Sequence, residues 1–316
     1  MKNSILTFAF LISIISCNKN ESIISDTNTL DSLVSKYVDN GSQALLLVRL
    51  EDKNGKPIYQ FSDKNIDLIP SQDINENTWF RIWSMSKIIT ISITMDLVED
   101  GLLKLSDPVS KYIPEFKNPQ ILDSLLSDGT YLTIPAKNKI TIRHLLTHTS
   151  GIGYGELESD PRIKEIYKEA GIVDLFTTKK ISIGENIKKL ATLPLHHNPG
   201  KAFTYSESYD VLGYFIEVIS GIPFDVFLRT RIFDPLEMND TWFYAPESKA
   251  GRLVSVQTKK DERWINYPVT FYDPQYPIKG ENKFFSGGYG LGSKALDYAK
   301  FLQMYLNKGE LNGKSY

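Results

Sequence analysis

The stretch Ser84-Met85-Ser86-Lys87, followed by an apolar run at residues 88–97, decides how this 316-residue chain is interpreted. The run predicts a helix that begins near Ser84 and ends at Gly101, because glycine favours helix ends. Serine and lysine three positions apart share one face of such a helix, so the lysine amine can reach the serine hydroxyl. A serine hydroxyl becomes a good nucleophile only when a neighbouring base takes its proton. The spacing therefore indicates a nucleophile and its base.

The four-residue pattern is a weak signal by itself, since it occurs again at Ser16-Cys17-Asn18-Lys19. An alternative interpretation makes Ser84 the N-cap of the helix and places Lys87 on its solvated face. The remaining sequence has to decide between a catalytic pair and a helix cap.

The composition is typical of a globular protein with a sizeable core: 41% of the residues are hydrophobic, 23% are charged, and the formal net charge is -2. There is no long basic run, so binding to nucleic acid is not expected. Neither G-x-G-x-x-G nor G-x-S-x-G occurs, so the sequence predicts neither a dinucleotide site nor an α/β-hydrolase elbow. We expect no cofactor.

The N-terminus has the features of a targeting segment. Lys2 precedes an apolar stretch at residues 6–15, which is too short to span a bilayer comfortably and ends just before Cys17, the only cysteine. This arrangement resembles a bacterial lipobox, with an ordinary secretory signal and an accidental cysteine as the alternative. We expect a signal peptide at 1–17, lipid on Cys17, a polar tether at 18–28 and a catalytic domain at 29–316. Such a protein is exported and anchored in the cell envelope, at the periplasmic or outer surface.

The chain after the tether predicts one early hairpin and then mainly helices. Residues 44–50 form a dense apolar run, and residues 57–61 follow Asn54-Gly55, a signature of a type I′ turn. A lone hairpin is marginal in water, and no partner strand is obvious downstream. The predicted helices span 30–38, 141–146, 206–219, 224–232 and 294–307. Thr141 is a possible cap of the second of these and Ser293 the cap of the last. Residues 117–139 are predicted to be loop.

Five blocks in order, at residues 80–87, 99–109, 142–151, 199–213 and 286–291, resemble the serine β-lactamase-like superfamily. The resemblance is to the branch with class C β-lactamases, serine D-alanyl-D-alanine carboxypeptidases, D-aminopeptidases and family VIII esterases. It implies an α/β fold of the α+β type, β-lactamase/transpeptidase-like, in which helices flank an antiparallel sheet and form a helical subdomain. It also implies a serine hydrolase that acts through an acyl-enzyme on small ester, amide or peptide substrates, more as an esterase or peptidase than as a true β-lactamase.

The resemblance assigns roles to individual residues. Ser84 would be the acylated nucleophile and its backbone N–H an oxyanion donor, Lys87 a buried base, and Tyr205 a proton shuttle beside Ser84. The family's Tyr-x-Asn motif is here Tyr205-Ser206-Glu207. Glu207 would then face the substrate and repel carboxylates; alternatively, it is an acid in the first turn of a helix.

The family's third motif, Lys or His, then Ser or Thr, then Gly, is absent from the sequence. Together with the unpartnered hairpin, this predicts a chain that is incomplete at its C-terminus and lacks the C-terminal sheet strands. A natural short variant is the alternative. The missing motif also keeps open a second function, a catalytically inactive, penicillin-binding-like protein that binds a ligand or acts as a sensor.

His144 and His148 have the i, i+4 spacing of a helical metal pair, and His196-His197 could add ligands. The glutamate of H-E-x-x-H is missing, and both positions fall in a block that resembles the serine family. We therefore expect no metal site, with a metallohydrolase as the minor alternative.

Overall fold

The computed structural model describes residues 27–315, apart from 68, 70, 71 and 175. The predicted signal peptide, Cys17 and most of the predicted tether lie outside the described residues. Within them, the strands form antiparallel pairs and the helices carry the main core. The helices are α1 Thr27–Asp39, α2 Ser86–Glu99, α3 Ile142–Leu146, α4 Pro161–Glu169, α5 Ile183–Leu190, α6 Ser208–Ser220, α7 Phe224–Leu228, α8 Tyr276–Lys279 and α9 Ala295–Leu306. The strands are β1 Leu45–Glu51, β2 Pro57–Lys64, β3 Phe80–Arg81, β4 Gln120–Leu125, β5 Tyr131–Pro135, β6 Gln257–Lys260, β7 Arg263–Asn266, β8 Gly292–Ser293, β9 Glu310–Leu311 and β10 Lys314–Ser315.

The two central helices, α2 and α6, agree with the sequence prediction to within about two residues. Helix α2 buries Ile89, Ile93 and Leu97, which recur at the spacing of one helix face. Helix α6 contacts α2, α3, α5 and α7, so it lies in the middle of the core. Gly101 and Gly221 follow the two helices with φ of +73°, a conformation that glycine adopts at little cost.

Residues 117–139 are not a loop, as expected from their polarity, but contain the hairpin β4–β5. Leu122 N–H donates to the Leu195 carbonyl at 2.9 Å, and Leu195 N–H donates to the Gln120 carbonyl at 2.7 Å. These long-range backbone bonds help to hold β4 in place, although its sequence pattern alone is weak. Asp128-Gly129, with Gly129 at φ +85°, marks the turn.

The β1–β2 turn also differs from the prediction. Gly55 has φ of +79°, whereas Asn54 is not in the left-handed region, so the turn is not type I′. The Asp52 side chain accepts hydrogen bonds from the N–H groups of Asn54 and Lys56, and these bonds favour a right-handed turn followed by Gly55. The register also shifts between Leu50 and Glu51, close to this turn.

Two expected caps have different outcomes. Thr141 caps α3 in a capping box with His144, as predicted. Ser293 does not cap α9: the N-cap is Lys294, and the Ser293 hydroxyl instead bonds to Thr241 at 2.8 Å. Ser293 belongs to β8, whose pairing with β3 fixes its position before the helix begins.

In the described part of the chain, no single helix is long and apolar enough to cross a membrane. The segments Ser208–Ser220 and Phe224–Phe233 meet the length and composition criteria only as a pair, and they are bent by 83°.

Candidate active site

Ser84 lies in a short 3₁₀ turn, Trp83–Met85, that leads into α2. Met85, rather than Ser84, is the N-cap of α2, and Ser84 therefore does not have the capping role considered as the alternative. Trp83 has φ of +47°, an unfavourable conformation for a bulky residue. Its ring is held by Phe176, with ring centroids 4.8 Å apart, and by Tyr272 at 5.6 Å. Backbone strain held by surrounding packing is common at functional sites.

Lys87 points at Ser84 from one turn further along. Its Nζ donates to Ser84 Oγ at 3.1 Å and to the Gly288 carbonyl at 2.7 Å, and the residue is only 8% exposed. Asp210 fixes Gly288 in turn, since its Oδ1 accepts from Gly288 N–H at 2.9 Å and from the Ser286 hydroxyl at 2.6 Å. The amine is thus buried, and its orientation is set from two sides.

Tyr205 completes the group from the segment before α6. Its hydroxyl lies 3.0 Å from Ser84 Oγ, and Lys87 Nζ lies 5.0 Å from its ring centroid. Burial alone would raise the pKa of Tyr205, but the neighbouring Lys87 and Ser84 lower it overall. The structure therefore brings the three predicted residues together in a geometry that can relay the serine proton to a base.

Glu207 has a different position from the one that a substrate-binding role needs. It is 1% exposed, and neither carboxyl oxygen has a hydrogen-bond partner among the described residues. Burial, followed by the charges of Asp174 and Asp210, raises its pKa well above 4.5. Its backbone N–H donates to the Gly153 carbonyl at 3.2 Å, and its side chain is enclosed by protein. The predicted contact with substrate is not supported by this placement.

The histidines do not form the helical pair that their spacing suggested. Helix α3 ends at Leu146, and His148 lies beyond it with φ of +52°. The other three rings contact separate partners: His144 accepts from Thr141 N–H, His196 lies 3.0 Å from Glu158, and His197 lies 2.9 Å from Thr204. Among the described residues, no three or more His, Cys, Asp or Glu side chains are placed to hold a metal ion.

A cleft of about 360 Å³ opens beside Tyr205. Its apolar lining includes Tyr154, Leu157 and Phe203, and the last two are more than half exposed. Glu158 also lines the cleft: although burial would raise its pKa, hydrogen bonds from His196 and from backbone N–H groups lower it to about 2. The cleft thus combines apolar side chains with two carboxylates, since Asp160 also lines it and hydrogen bonds from Arg162 lower its pKa.

Several residues of the site were missed by the sequence analysis. Trp83 directly precedes Ser84, the Gly288 carbonyl accepts from Lys87, Asp210 fixes Gly288, and His148 contacts Tyr205. Gly287-Gly288 gave a usable signal, because paired glycines often mark close backbone approach. A Cβ on Gly288 would lie 3.1 Å from Asp210 Oδ1 and 3.5 Å from Lys87 Nζ.

The family model described as Beta-lactamase matches residues 53–315, and the chain belongs to this family. It is 33% identical over 253 residues to Protein Rv1367c of Mycobacterium tuberculosis, covering 78% of this chain and 58% of that protein. It is also 33% identical over 200 residues to Esterase EstB of Burkholderia gladioli, covering 63% of this chain and 47% of EstB. The chain thus spans about half the length of these relatives.

The solved structure of EstCE1, a hydrolase with promiscuous acyltransferase activity, superimposes with a TM-score of 0.73 at 24% identity, covering 92% of this chain and 74% of EstCE1. The predicted α/β fold of the β-lactamase/transpeptidase class is confirmed. The relatives support serine hydrolysis or acyl transfer as the chemistry of the family.

Proposed function

We propose that this protein is a serine hydrolase that acts through an acyl-enzyme on Ser84. The observation that carries the proposal is the position of Ser84 Oγ, 3.1 Å from Lys87 Nζ and 3.0 Å from the Tyr205 hydroxyl. A nucleophile within hydrogen-bonding distance of a base, whose own orientation is fixed by a third group, is the arrangement that nucleophilic catalysis requires.

In the first half-reaction, Ser84 Oγ attacks the acyl carbonyl as its proton passes to Lys87. The tetrahedral intermediate then collapses, the bond to the leaving group breaks, and the Tyr205 hydroxyl protonates the departing oxygen or nitrogen. Lys87 returns a proton to Tyr205. In the second half-reaction, water replaces the leaving group and the same groups work in reverse, releasing the acid and restoring Ser84.

The substrates that fit are small neutral esters, amides or peptides. The apolar side chains of Leu157 and Phe203 beside Tyr205 suit an uncharged acyl or alcohol group. The ionised Glu158 in the same cleft disfavours a carboxylate-bearing substrate through charge repulsion. Esterase activity is therefore proposed ahead of β-lactam hydrolysis.

The test is hydrolysis of p-nitrophenyl acetate and butyrate by the purified protein, compared with the Ser84→Ala variant. We expect hydrolysis by the wild type and a loss of about 10³-fold or more in the variant. Ser92→Ala, in the same helix but facing Tyr305, is the matched control and keeps the activity. Equal rates for wild type and Ser84→Ala would reject the proposal, as would tight binding of ester without turnover.

We also propose that lipid on Cys17 anchors the protein in the bacterial cell envelope. The position of Cys17 two residues after the apolar stretch at 6–15 supports this. Radiolabelled palmitate should enter the wild type and not Cys17→Ser, and the variant should leave the membrane fraction. Unchanged labelling and fractionation of Cys17→Ser would contradict the anchor.

A further inference from the structure

Both chain neighbours of Tyr205 are hydrogen-bonded to one residue, His148. The Thr204 N–H donates to the His148 carbonyl at 2.8 Å, and the Ser206 N–H donates to His148 Nδ1 at 3.2 Å. Tyr205 itself is 44% exposed, so contacts on its buried side have to fix its direction. The backbone on either side of the phenol is held by these two bonds.

The imidazole ring also supports the phenol ring directly. Its centroid lies 4.7 Å from that of Tyr205 and 4.9 Å from that of Tyr209 in α6. We propose that His148 is a positioning residue for Tyr205, which keeps the phenol oxygen within reach of Ser84. The proposal rests on the proposed function, in which Tyr205 transfers protons at Ser84.

The chemistry of His148 fits an acceptor role. Since Nδ1 accepts a backbone N–H, the proton of the neutral ring lies on Nε2. Burial, and then the nearby Lys87, lower the pKa of His148 to about 4. The ring is therefore neutral near pH 7, and Nδ1 keeps its lone pair for Ser206.

A buried row of hydroxyls holds the same segment from behind. Ser206 Oγ lies 2.7 Å from Ser208 Oγ, which lies 2.9 Å from Ser150 Oγ, and all three residues are fully buried. Ser150 follows His148 by two positions, so the row links the His148 segment to the Tyr205 segment a second time.

The backbone of His148 allows a matched pair of variants. Its φ of +52° is tolerated by asparagine and glycine. In His148→Asn, the side-chain carbonyl can replace Nδ1 as acceptor, whereas His148→Gly has no acceptor. Both variants lose the imidazole ring, so their difference isolates the hydrogen bond to Ser206.

The readout is the titration of Tyr205, observed by NMR in protein labelled with ¹³C at tyrosine Cζ and assigned with Tyr205→Phe. Lys87 from α2, Ser84, Tyr154 and His148 face this phenol. We expect Tyr205 in the wild type to titrate below the ordinary tyrosine value, and His148→Asn to stay close to the wild type. In His148→Gly the midpoint should move up toward that ordinary value, because the phenol loses its fixed position beside Lys87.

Kinetics provide the second readout. His148→Gly should lower kcat for p-nitrophenyl butyrate by about 10–100-fold with little change in KM, because a displaced group affects the reaction more than substrate binding. His148→Asn should restore most of kcat. Wild-type titration and kinetics in both the Asn and Gly variants would overturn the proposal, and equal impairment of both would overturn the contribution of the hydrogen bond to Ser206.

The outcome for the positioning role is separate from that for hydrolysis. If the wild type hydrolyses no ester, the proposed function fails, and the Tyr205 titration alone still decides whether His148 positions the phenol. If His148→Gly does not fold, as judged by thermal unfolding, His148→Gln replaces it, because its carboxamide reaches the Nε2 position and leaves Ser206 without an acceptor.

Discussion

The helical region around α2 and α6 and the β1–β2 hairpin differ sharply in how they bury their residues. Helix α6 alone buries eight residues, whereas the residues of β1 are half-buried or exposed. Ser84, Lys87 and Tyr205 all belong to the helical region or its immediate loops. The chemistry is therefore built at the edge of the main buried core, whose close packing fixes the helices that carry these residues.

The hairpin contributes to the surroundings of the site rather than to its reactive groups. In the described part of the chain, β1 pairs with β2 alone. An apolar cleft of about 410 Å³ separates β1 from the start of α9, with Leu47 on one side and Met85, Tyr298 and Leu302 among the other lining residues. We expect changes in the hairpin to affect stability modestly and changes in the helical region to affect both stability and activity.

The largest effect is expected from Lys87→Met, which keeps the side-chain volume and removes the amine. Ester hydrolysis should fall by about 10²–10⁴-fold, since the serine loses its general base. The protein should remain folded, as measured by circular dichroism, because the apolar side chain fits a site that is 8% exposed. An active Lys87→Met protein would contradict the assigned role of the base.

A pair of leucine substitutions compares the two regions by stability. Leu212→Ala in α6, fully buried, should lower the free energy of unfolding by about 2–5 kcal/mol. Leu47→Ala in β1, which packs at the edge of the small cluster of Ile69, Ile74 and Val254, should lower it by about 1 kcal/mol. Urea denaturation measures both free energies of unfolding. An equal loss in the two variants would contradict the expected difference between the helical region and the hairpin.

A smaller effect is expected from Gly288→Ala. The added Cβ would lie only 3.1 Å from Asp210 Oδ1, so the loop that carries the carbonyl bonded to Lys87 has to shift slightly. We expect kcat to fall by about tenfold, which corresponds to about 1.4 kcal/mol. Gly251→Ala is the control, because its Cβ would meet no atom within 4 Å. Full activity of Gly288→Ala would show that the position of this loop does not matter.

The smallest effect is expected from Glu207→Gln. Because burial raises the pKa of Glu207, the folded state favours the protonated carboxyl, and the stability from this group is lost as the pH rises through the folded pKa. Glutamine cannot ionise, so the variant should lose less thermal stability than the wild type between about pH 5 and pH 8. The substitution of an exposed residue, Glu165→Gln, serves as control and should not reduce the loss of thermal stability with rising pH.

Ester hydrolysis by Glu207→Gln then decides the remaining role of this residue. We expect kcat and KM close to those of the wild type, because the residue is only 1% exposed and does not line the cleft beside Tyr205. A large rise in KM would instead restore the substrate-binding role that the sequence suggested.

Much of the helical region could be predicted from the sequence because its signals are local. The apolar run of α2, the periodic apolar face of α6 and the glycines that follow both helices are each contained in about fifteen residues. Hairpin β4–β5 was missed because its position depends on backbone bonds to Leu195, some seventy residues away in sequence. The prediction of a type I′ turn at Asn54-Gly55 was wrong because the Asp52 side chain favours a different turn.

In the site, too, local sequence signals were sufficient for some residues and not for others. The ordered blocks identified Ser84, Lys87 and Tyr205. Spacing could not show that Lys87 also donates to the Gly288 carbonyl, or that His148 is hydrogen-bonded to a chain neighbour of Tyr205. Glu207 was assigned to the cleft because of its place in a motif. Its burial depends on how α6 packs, which a three-residue pattern does not determine.

The most direct test of the account is covalent labelling of Ser84. The purified wild type is incubated with a fluorophosphonate, and the modified residue is identified by mass spectrometry of its peptides. We expect one adduct, on Ser84, that is absent from Ser84→Ala and forms much more slowly in Lys87→Met. An unlabelled wild type, or an adduct on another serine that persists in Ser84→Ala, would contradict it.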